Sequence, residues 1–138
     1  MTDGGFARFA GLRVLVTGAT GFLGRPLVRA LLAHGATVTA VSRSAVPDPA
    51  DPPGLEVRAC DAADTAAVEA LTARTKPDIV YHLTSDSRGG PDLALVPDSI
   101  RNDVLATANV LCAAARAGVR RGVITGSLEE PVGDAGRV

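Results

Sequence analysis

The segment Thr17-Gly18-Ala19-Thr20-Gly21-Phe22-Leu23-Gly24 constrains this chain more than any other. It follows the apolar run Leu12-Arg13-Val14-Leu15-Val16 without a gap. Leu23, Leu27 and Leu31 then recur at i, i+4 and i+8. That order reads as a strand, a glycine turn and the start of a helix. One glycine permits the tight turn, one lets backbone N–H groups approach a phosphate, and one lets helix and strand pack closely. Phosphates then lie at the positive end of the new helix, against its unpaired N–H groups. The segment therefore implies a cradle for a dinucleotide.

The remainder of the chain alternates strand and helix. Strands are expected over about 12–17, 36–42, 55–60, 78–84 and 120–125, and helices over about 22–34, 64–74 and 98–117. Gly35 after His34 and Gly118 mark helix ends, and Asp64 can cap the start of the second helix. Val38-Thr39-Ala40-Val41 and Ile79-Val80-Tyr81-His82-Leu83 are short, apolar and β-branched, as strands buried on both faces of a parallel sheet must be. Right-handed crossovers then give an α/β fold, a Rossmann-like doubly wound parallel sheet of about five strands. Its length suits one domain over 1–138, with 1–11 and 128–138 expected as flexible tails. Pro47, Pro49, Pro52 and Pro53 put a mobile loop where a crossover helix would otherwise stand. Ser85 to Pro97, with Gly89-Gly90-Pro91, is expected as a second loop, at the carboxyl end of the fourth strand where ligands bind in this architecture. The helix expected over 98–117 shows a broad apolar face of Val104, Leu105, Ala108, Leu111, Cys112 and Ala115, part of which is expected to cover the sheet.

Composition narrows the partners. Net charge is −1, aromatics are 3% and the arginines are scattered, which excludes the basic, aromatic-laced surface of a nucleic-acid binder. No apolar run approaches the roughly 20 residues that span a bilayer, so no membrane partner is expected. Met1-Thr2-Asp3-Gly4-Gly5 lacks the charged and apolar regions of a secretory leader, which points to the cytoplasm. Cys60 and Cys112 fall within expected elements without metal-ligand spacing and read as two reduced, buried thiols.

The glycines are spaced Gly18-x-x-Gly21-x-x-Gly24 rather than G-x-G-x-x-G. With Thr17 in front, the segment resembles the short-chain dehydrogenase/reductase superfamily, and in its T-G-A-T-G-F-L-G form the extended branch, the NAD(P)-dependent epimerase/dehydratase family. Four further stretches agree in order. Cys60-Asp61 resembles the family's acidic residue that contacts adenine, and Val80-Tyr81-His82-Leu83-Thr84-Ser85 its V-x-H-L-A-A strand beside the nicotinamide ribose. Ala106-Thr107-Ala108-Asn109-Val110-Leu111 resembles G-T-x-N-x-L of the fourth helix, and Gly122-Val123-Ile124-Thr125-Gly126-Ser127 the strand that ends in the catalytic Ser/Thr. The resemblance, from about Arg13 to Ser127, implies cofactor contacts at Gly18, Thr20, Gly21, Phe22, Leu23, Ser42, Arg43, Asp61, Ala62, Leu83 and Thr84. It implies a catalytic hydroxyl at Ser127 and a nicotinamide dinucleotide as cofactor, with no metal.

Cofactor choice turns on the second strand. An acid at its end would bond the ribose 2′-OH of NAD, whereas an arginine accommodates the 2′-phosphate of NADP. Val41-Ser42-Arg43-Ser44 carries no carboxylate, and Arg43 between two hydroxyls reads as a phosphate clamp, so NADP is expected over NAD. A merely solvated strand-end charge is the bland alternative for Arg43. The family's Tyr-x-x-x-Lys acid/base pair has no counterpart, because Tyr81 is the sole tyrosine and Lys76 the sole lysine. Where the family usually has Asn before G-T-x-N, Asp103 stands beside Asn102. The expectation is of a sheet truncated after the fifth strand, working as a homo-oligomer or with a complementary C-terminal half. The expected substrate is a nucleotide sugar or a small hydroxy/keto metabolite. A non-catalytic cofactor-binding module and a different ligand or reaction in the same crevice are the alternatives. His82 reads as a satisfied packing residue, and Asp86, Arg88, Glu129 and Glu130 as solvated charges.

Overall fold

The computed structural model describes residues 9–85 and 92–126. Strands β1 (Arg13–Thr17), β2 (Thr37–Ser42), β3 (Leu55–Ala59), β4 (Ile79–His82) and β5 (Arg121–Ile124) form one sheet in the order β3-β2-β1-β4-β5. Every neighbouring pair is parallel. Strand alternation splits the core between the two faces of the sheet. Val14, Val16, Val38 and Ala40 point toward Val28 and Leu31 of helix α1 (Gly24–Ala33). Leu15, Val41 and Val80 point the other way, toward Val68 and Leu71 of α2 (Thr65–Thr75) and Val110 and Ala113 of α4 (Ala106–Arg116). Each fully buried Val or Leu of this kind stabilises the fold by about 1.5–3 kcal/mol. Helices on both faces of a parallel sheet are the doubly wound arrangement expected from the sequence.

Local chemistry sets the helix ends. Asp64 caps α2 by accepting the Ala67 N–H at 3.0 Å. Gly35 and Gly118 take φ of +79° and +69° directly after the caps of α1 and α4, a region open to glycine at little cost. The prolines of 44–54 hold that segment out of helix, and Asp48 and Asp51 close turns inside it. At the start of the domain Phe9 packs on the core and the Gly11 N–H donates to the Gly35 carbonyl. Residues 1–8 and 128–138 of the expected tails lie outside the described residues.

Five expectations need correction. The first helix begins at Gly24 rather than 22, because the chain spends residues 21–23 completing the glycine turn. The last helical run begins well before 98. It comprises a 3₁₀ turn (Leu93–Leu95), α3 (Val96–Ser99), a π-helical segment (Ile100–Leu105) and α4. Asp92 starts it by accepting the Ala94 N–H, and Pro97 fits a first turn that has no use for its missing donor. The loop expected to reach Pro97 therefore ends at Asp92. The sheet is covered by Ala106, Asn109, Val110, Ala113 and Ala114, whereas Val104, Leu105, Ala108, Leu111, Cys112 and Ala115 are all exposed. In a helix this rich in alanine, small residues let the backbone approach the sheet, so apolar character does not tell which side is inside. Cys112 is accordingly exposed and Cys60 only half-buried, not the pair of buried thiols expected.

Candidate functional site: a crevice at the carboxyl ends of β1, β2 and β4

The register places Thr17 beside Val41 on one side and His82 on the other, so three strand ends open onto one crevice. From β1 the chain winds outward through β2 and β3, then crosses back through α2 to β4 on the other side of β1, so the strand order reverses between β1 and β4, the point where ligands bind in open α/β sheets. The crevice encloses about 610 Å³. Gly18, Thr20, Gly21, Ser42, Arg43, Asp61, Ala62, Leu83 and Thr84 line it. Phe22 and Leu23 do not; they are 94% and 55% exposed on the outside of the turn. Ser127, Asp86, Arg88, Glu129 and Glu130 lie outside the described residues.

The glycines of the loop have distinct geometric reasons. Gly18 has φ +67°, and a Cβ there would lie 2.8 Å from the carbonyl carbon of Leu83. A Cβ on Gly24 would overlap the Gly18 carbonyl oxygen and lie 2.7 Å from Ala19 Cα. A Cβ on Gly21 meets only the Gly18 oxygen, at 3.2 Å, so this position faces open space. Leu23 gives α1 no side-chain cap and no acid occupies its first turn; Arg25 and Leu27 donate to the Gly21 and Leu23 carbonyls and Pro26 has no N–H, so the amides without a partner among the described residues are those of Phe22, Leu23 and Gly24. This is an anion cradle made of backbone.

Polar groups fix the walls. His82 is 1% exposed, with Nδ1 2.7 Å from Thr17 Oγ1 and Nε2 3.2 Å from Thr107 Oγ1. Burial lowers its pKa below the ordinary 6.5, partly offset by Asp103, so the ring is held neutral as a satisfied packing residue. Asn109 donates to the Ala62 carbonyl at 3.0 Å and accepts from Thr65 Oγ1 at 3.0 Å, tying the β3–α2 loop to α4. Asp61 accepts from Arg101 Nη2 at 2.6 Å and from the Ala63 N–H at 3.0 Å. The Arg101 bond foremost, then the Ala63 amide, holds that carboxyl below its ordinary range. Ser42 Oγ is buried and has no hydrogen-bond partner among the described residues. An orphaned hydroxyl beside Arg43, with a loop whose Gly21 faces open space that a side chain would enter, fits the ribose and pyrophosphate of a nicotinamide dinucleotide.

Sequence reasoning missed Asn102 and Ala106, which also line the crevice, and Arg101, which reaches Asp61. Nothing in the local pattern marks these. They arrive because the helical run starts early and contains a π-helical segment.

Fold and crevice together define a nucleotide-binding domain of the Rossmann type. Residues 14–137 match the NAD dependent epimerase/dehydratase family, and the chain belongs to that family. It is 37% identical over 115 residues to the 3-diazoavenalumate denitrifying reductase of a Streptomyces species, covering 80% of this chain and 36% of that one. Among solved structures it resembles uronate dehydrogenase from Agrobacterium tumefaciens, with TM-score 0.70 and 32% identity over 84% of this chain and 41% of that one. It also resembles the Bordetella bronchiseptica enzyme WbmG in complex with NAD and UDP, with TM-score 0.72 and 27% identity over 85% and 38% of the two chains. The chain thus spans about two fifths or less of each relative's length.

Proposed function

We propose that this chain is the cofactor-binding part of an NADP-dependent oxidoreductase or epimerase, acting on a nucleotide sugar or a small hydroxy/keto metabolite. The observation that carries the NADP reading is the end of β2. Ser42 offers a buried hydroxyl without a partner, Arg43 an exposed guanidinium, and no carboxylate stands there to bond a free 2′-OH. Gly18, Thr20, Gly21 and the first turn of α1 receive the pyrophosphate, Asp61 and Ala62 the adenine end, and Leu83 and Thr84 the nicotinamide ribose. Phe22 and Leu23, whose side chains face solvent, offer the pyrophosphate backbone N–H groups that have no partner among the described residues. When bound, the nicotinamide exchanges hydride with substrate. The chain's own residues orient it, and the neutral His82 keeps the ends of β1, β4 and α4 in register. Ser127 is proposed to hydrogen-bond the substrate. Relatives named for a uronate dehydrogenase and a UDP complex support the sugar-type substrate.

Proton transfer is assigned to residues beyond this sequence, since neither Tyr81, within β4, nor Lys76, the cap of α2, occupies a Tyr-x-x-x-Lys pair. Val104, Leu105 and Leu111 expose apolar surface along one helical run, which supports a second copy or a complementary half as partner. The two free cysteines suit the reducing cytoplasm. A cofactor-binding module without catalysis is the second reading, favoured by the missing pair; NADPH-dependent turnover by the full gene product would exclude it.

Titration with NADPH and NADH tests the reading. NADPH at about 100 times its dissociation constant should stabilise the fold by about 2.7 kcal/mol. No rise in melting temperature with either dinucleotide refutes it, and tighter binding of NADH refutes the NADP preference.

A further inference from the structure

Two guanidiniums flank one carboxylate at the adenosine end of the crevice. Asp61 lies two residues beyond Ala59, which pairs with Ser42, so Asp61 and Arg43 leave adjacent strands side by side. The field of Arg43 reaches the Asp61 carboxyl. Yet Asp61 makes its ion pair with Arg101, 40 residues away, through Oδ2, while Oδ1 takes the Ala63 N–H. Arg43 forms no ion pair among the described residues. The other acid of this loop, Asp64, is exposed and occupied in capping α2. Arg101 itself stands in the π-helical segment, a form concentrated at functional sites.

We propose that Arg101 is a specificity-determining residue of the crevice: by engaging Asp61 it leaves Arg43 free for a phosphate on the adenosine ribose. An Asp61 carboxylate without Arg101 would act twice against such a phosphate. It would draw Arg43 to itself, and it would place an uncompensated negative charge beside a dianion. An unphosphorylated ribose carries no such charge and is indifferent to both effects. Arg101 therefore sets the ratio of affinities for the two dinucleotides rather than affinity as such. This rests on the NADP reading above, and it is tested by a quantity that survives that reading's failure.

The experiment measures dissociation constants for NADPH and NADH by titration on the wild-type protein, R101Q, D61N and R101Q/D61N. R101Q is expected to lower the NADPH preference about three- to fivefold, the size of a partly exposed charge contact; a change at the adenine contact of Asp61 enters both dissociation constants and leaves their ratio unchanged. Adding D61N should restore the preference, because the charge that Arg101 masks is then gone. Raising salt should shrink the difference between wild type and R101Q. Arg101 is 47% exposed, so its replacement leaves the fold intact, and NADH binding reports this directly. A ratio that R101Q does not move, or a loss that D61N does not repair, overturns the inference. Wild-type preference for NADH overturns the NADP reading alone, since a fall in the ratio on R101Q still upholds the role of Arg101. Failure of all four proteins to bind either dinucleotide overturns both.

Discussion

Replacing Gly24 by alanine separates the packing role of this loop from its ligand role. Intrinsic propensity favours the change, since alanine exceeds glycine by about 1 kcal/mol within a helix. Geometry opposes it. The added Cβ would lie 2.7 and 2.8 Å from Ala19 Cα and C, and closer still to the Gly18 carbonyl oxygen. Carbon atoms rest at about 3.5–4.0 Å, so α1 must move away from the loop by about 1 Å. All three obstructing atoms are backbone, with no rotamer to give way. Overpacking costs typically 1–3 kcal/mol, and the upper end applies here. After the propensity gain, G24A should lose about 2 kcal/mol. For a domain of this size that corresponds to a fall in Tm of roughly 6–10 °C.

G21A is the matched control. Its methyl meets only the Gly18 oxygen at 3.2 Å and otherwise points into open space, so stability should change by less than about 0.5 kcal/mol. Dinucleotide binding should nevertheless fall sharply, because that space is where we propose that the pyrophosphate lies. Urea denaturation at 25 °C, paired with NADPH titration of each variant, reads both effects. If G24A is as stable as G21A, the close approach of helix and loop is not what keeps glycine at position 24.

Three further outcomes follow. R43A should weaken NADPH about fivefold and leave NADH within about twofold, as measured by titration. Below about pH 6.5 the unfolded chain takes up a proton that buried His82 refuses, so stability should fall with acidification by at most about 1.4 kcal/mol per unit and level off below the folded pKa. Urea midpoints at pH 7.5, 6.5 and 5.5 should show this slope in the wild type and lose it in H82Q. N109A should cost about 2 kcal/mol, because it strips the Ala62 carbonyl and the Thr65 hydroxyl of their buried partner. A loss below about 0.5 kcal/mol in the same denaturation assay would show that water replaces the amide there.

What was legible in the sequence depended on interactions close in the chain. Gly18, Gly21 and Gly24 identify a strand–turn–helix because each answers a constraint met within a few residues or at the adjacent strand end. Asp64 and Gly118 end or begin helices by local bonds, and they do so where expected. The inner face of α4 was not legible, since Ala106, Ala113 and Ala114 differ from Ala108 and Ala115 only in what stands opposite. Phe22 and Leu23 look like parts of a binding motif, yet the turn that presents Gly21 inward throws both side chains outward. The contacts that fix the β3–α2 loop against the last helical run, Arg101 to Asp61 and Asn109 to Ala62, join residues 40 and 47 apart. No spacing rule reaches that far.

Those two contacts also explain the uncommon backbone of residues 100–105. Arg101 and Asn109 must both address the β3–α2 loop, and they are eight residues apart. In an uninterrupted α-helix eight residues advance two turns and about 80° more, which would point one of the two away from the loop. A π-helical stretch, bonded i to i+5, advances more slowly, at roughly 4.4 residues per turn. Four steps at that pitch followed by four α steps leave the two side chains about 10° apart. The wider segment, Ile100–Leu105, thus brings Arg101 onto the face that Asn109 already presents. Converting those residues to regular α-helix would swing Arg101 off Asp61 while leaving Asn109 and the core contacts of α4 in place. The π-helical form of residues 100–105 and the Arg101–Asp61 pair are in that sense one feature of the structure.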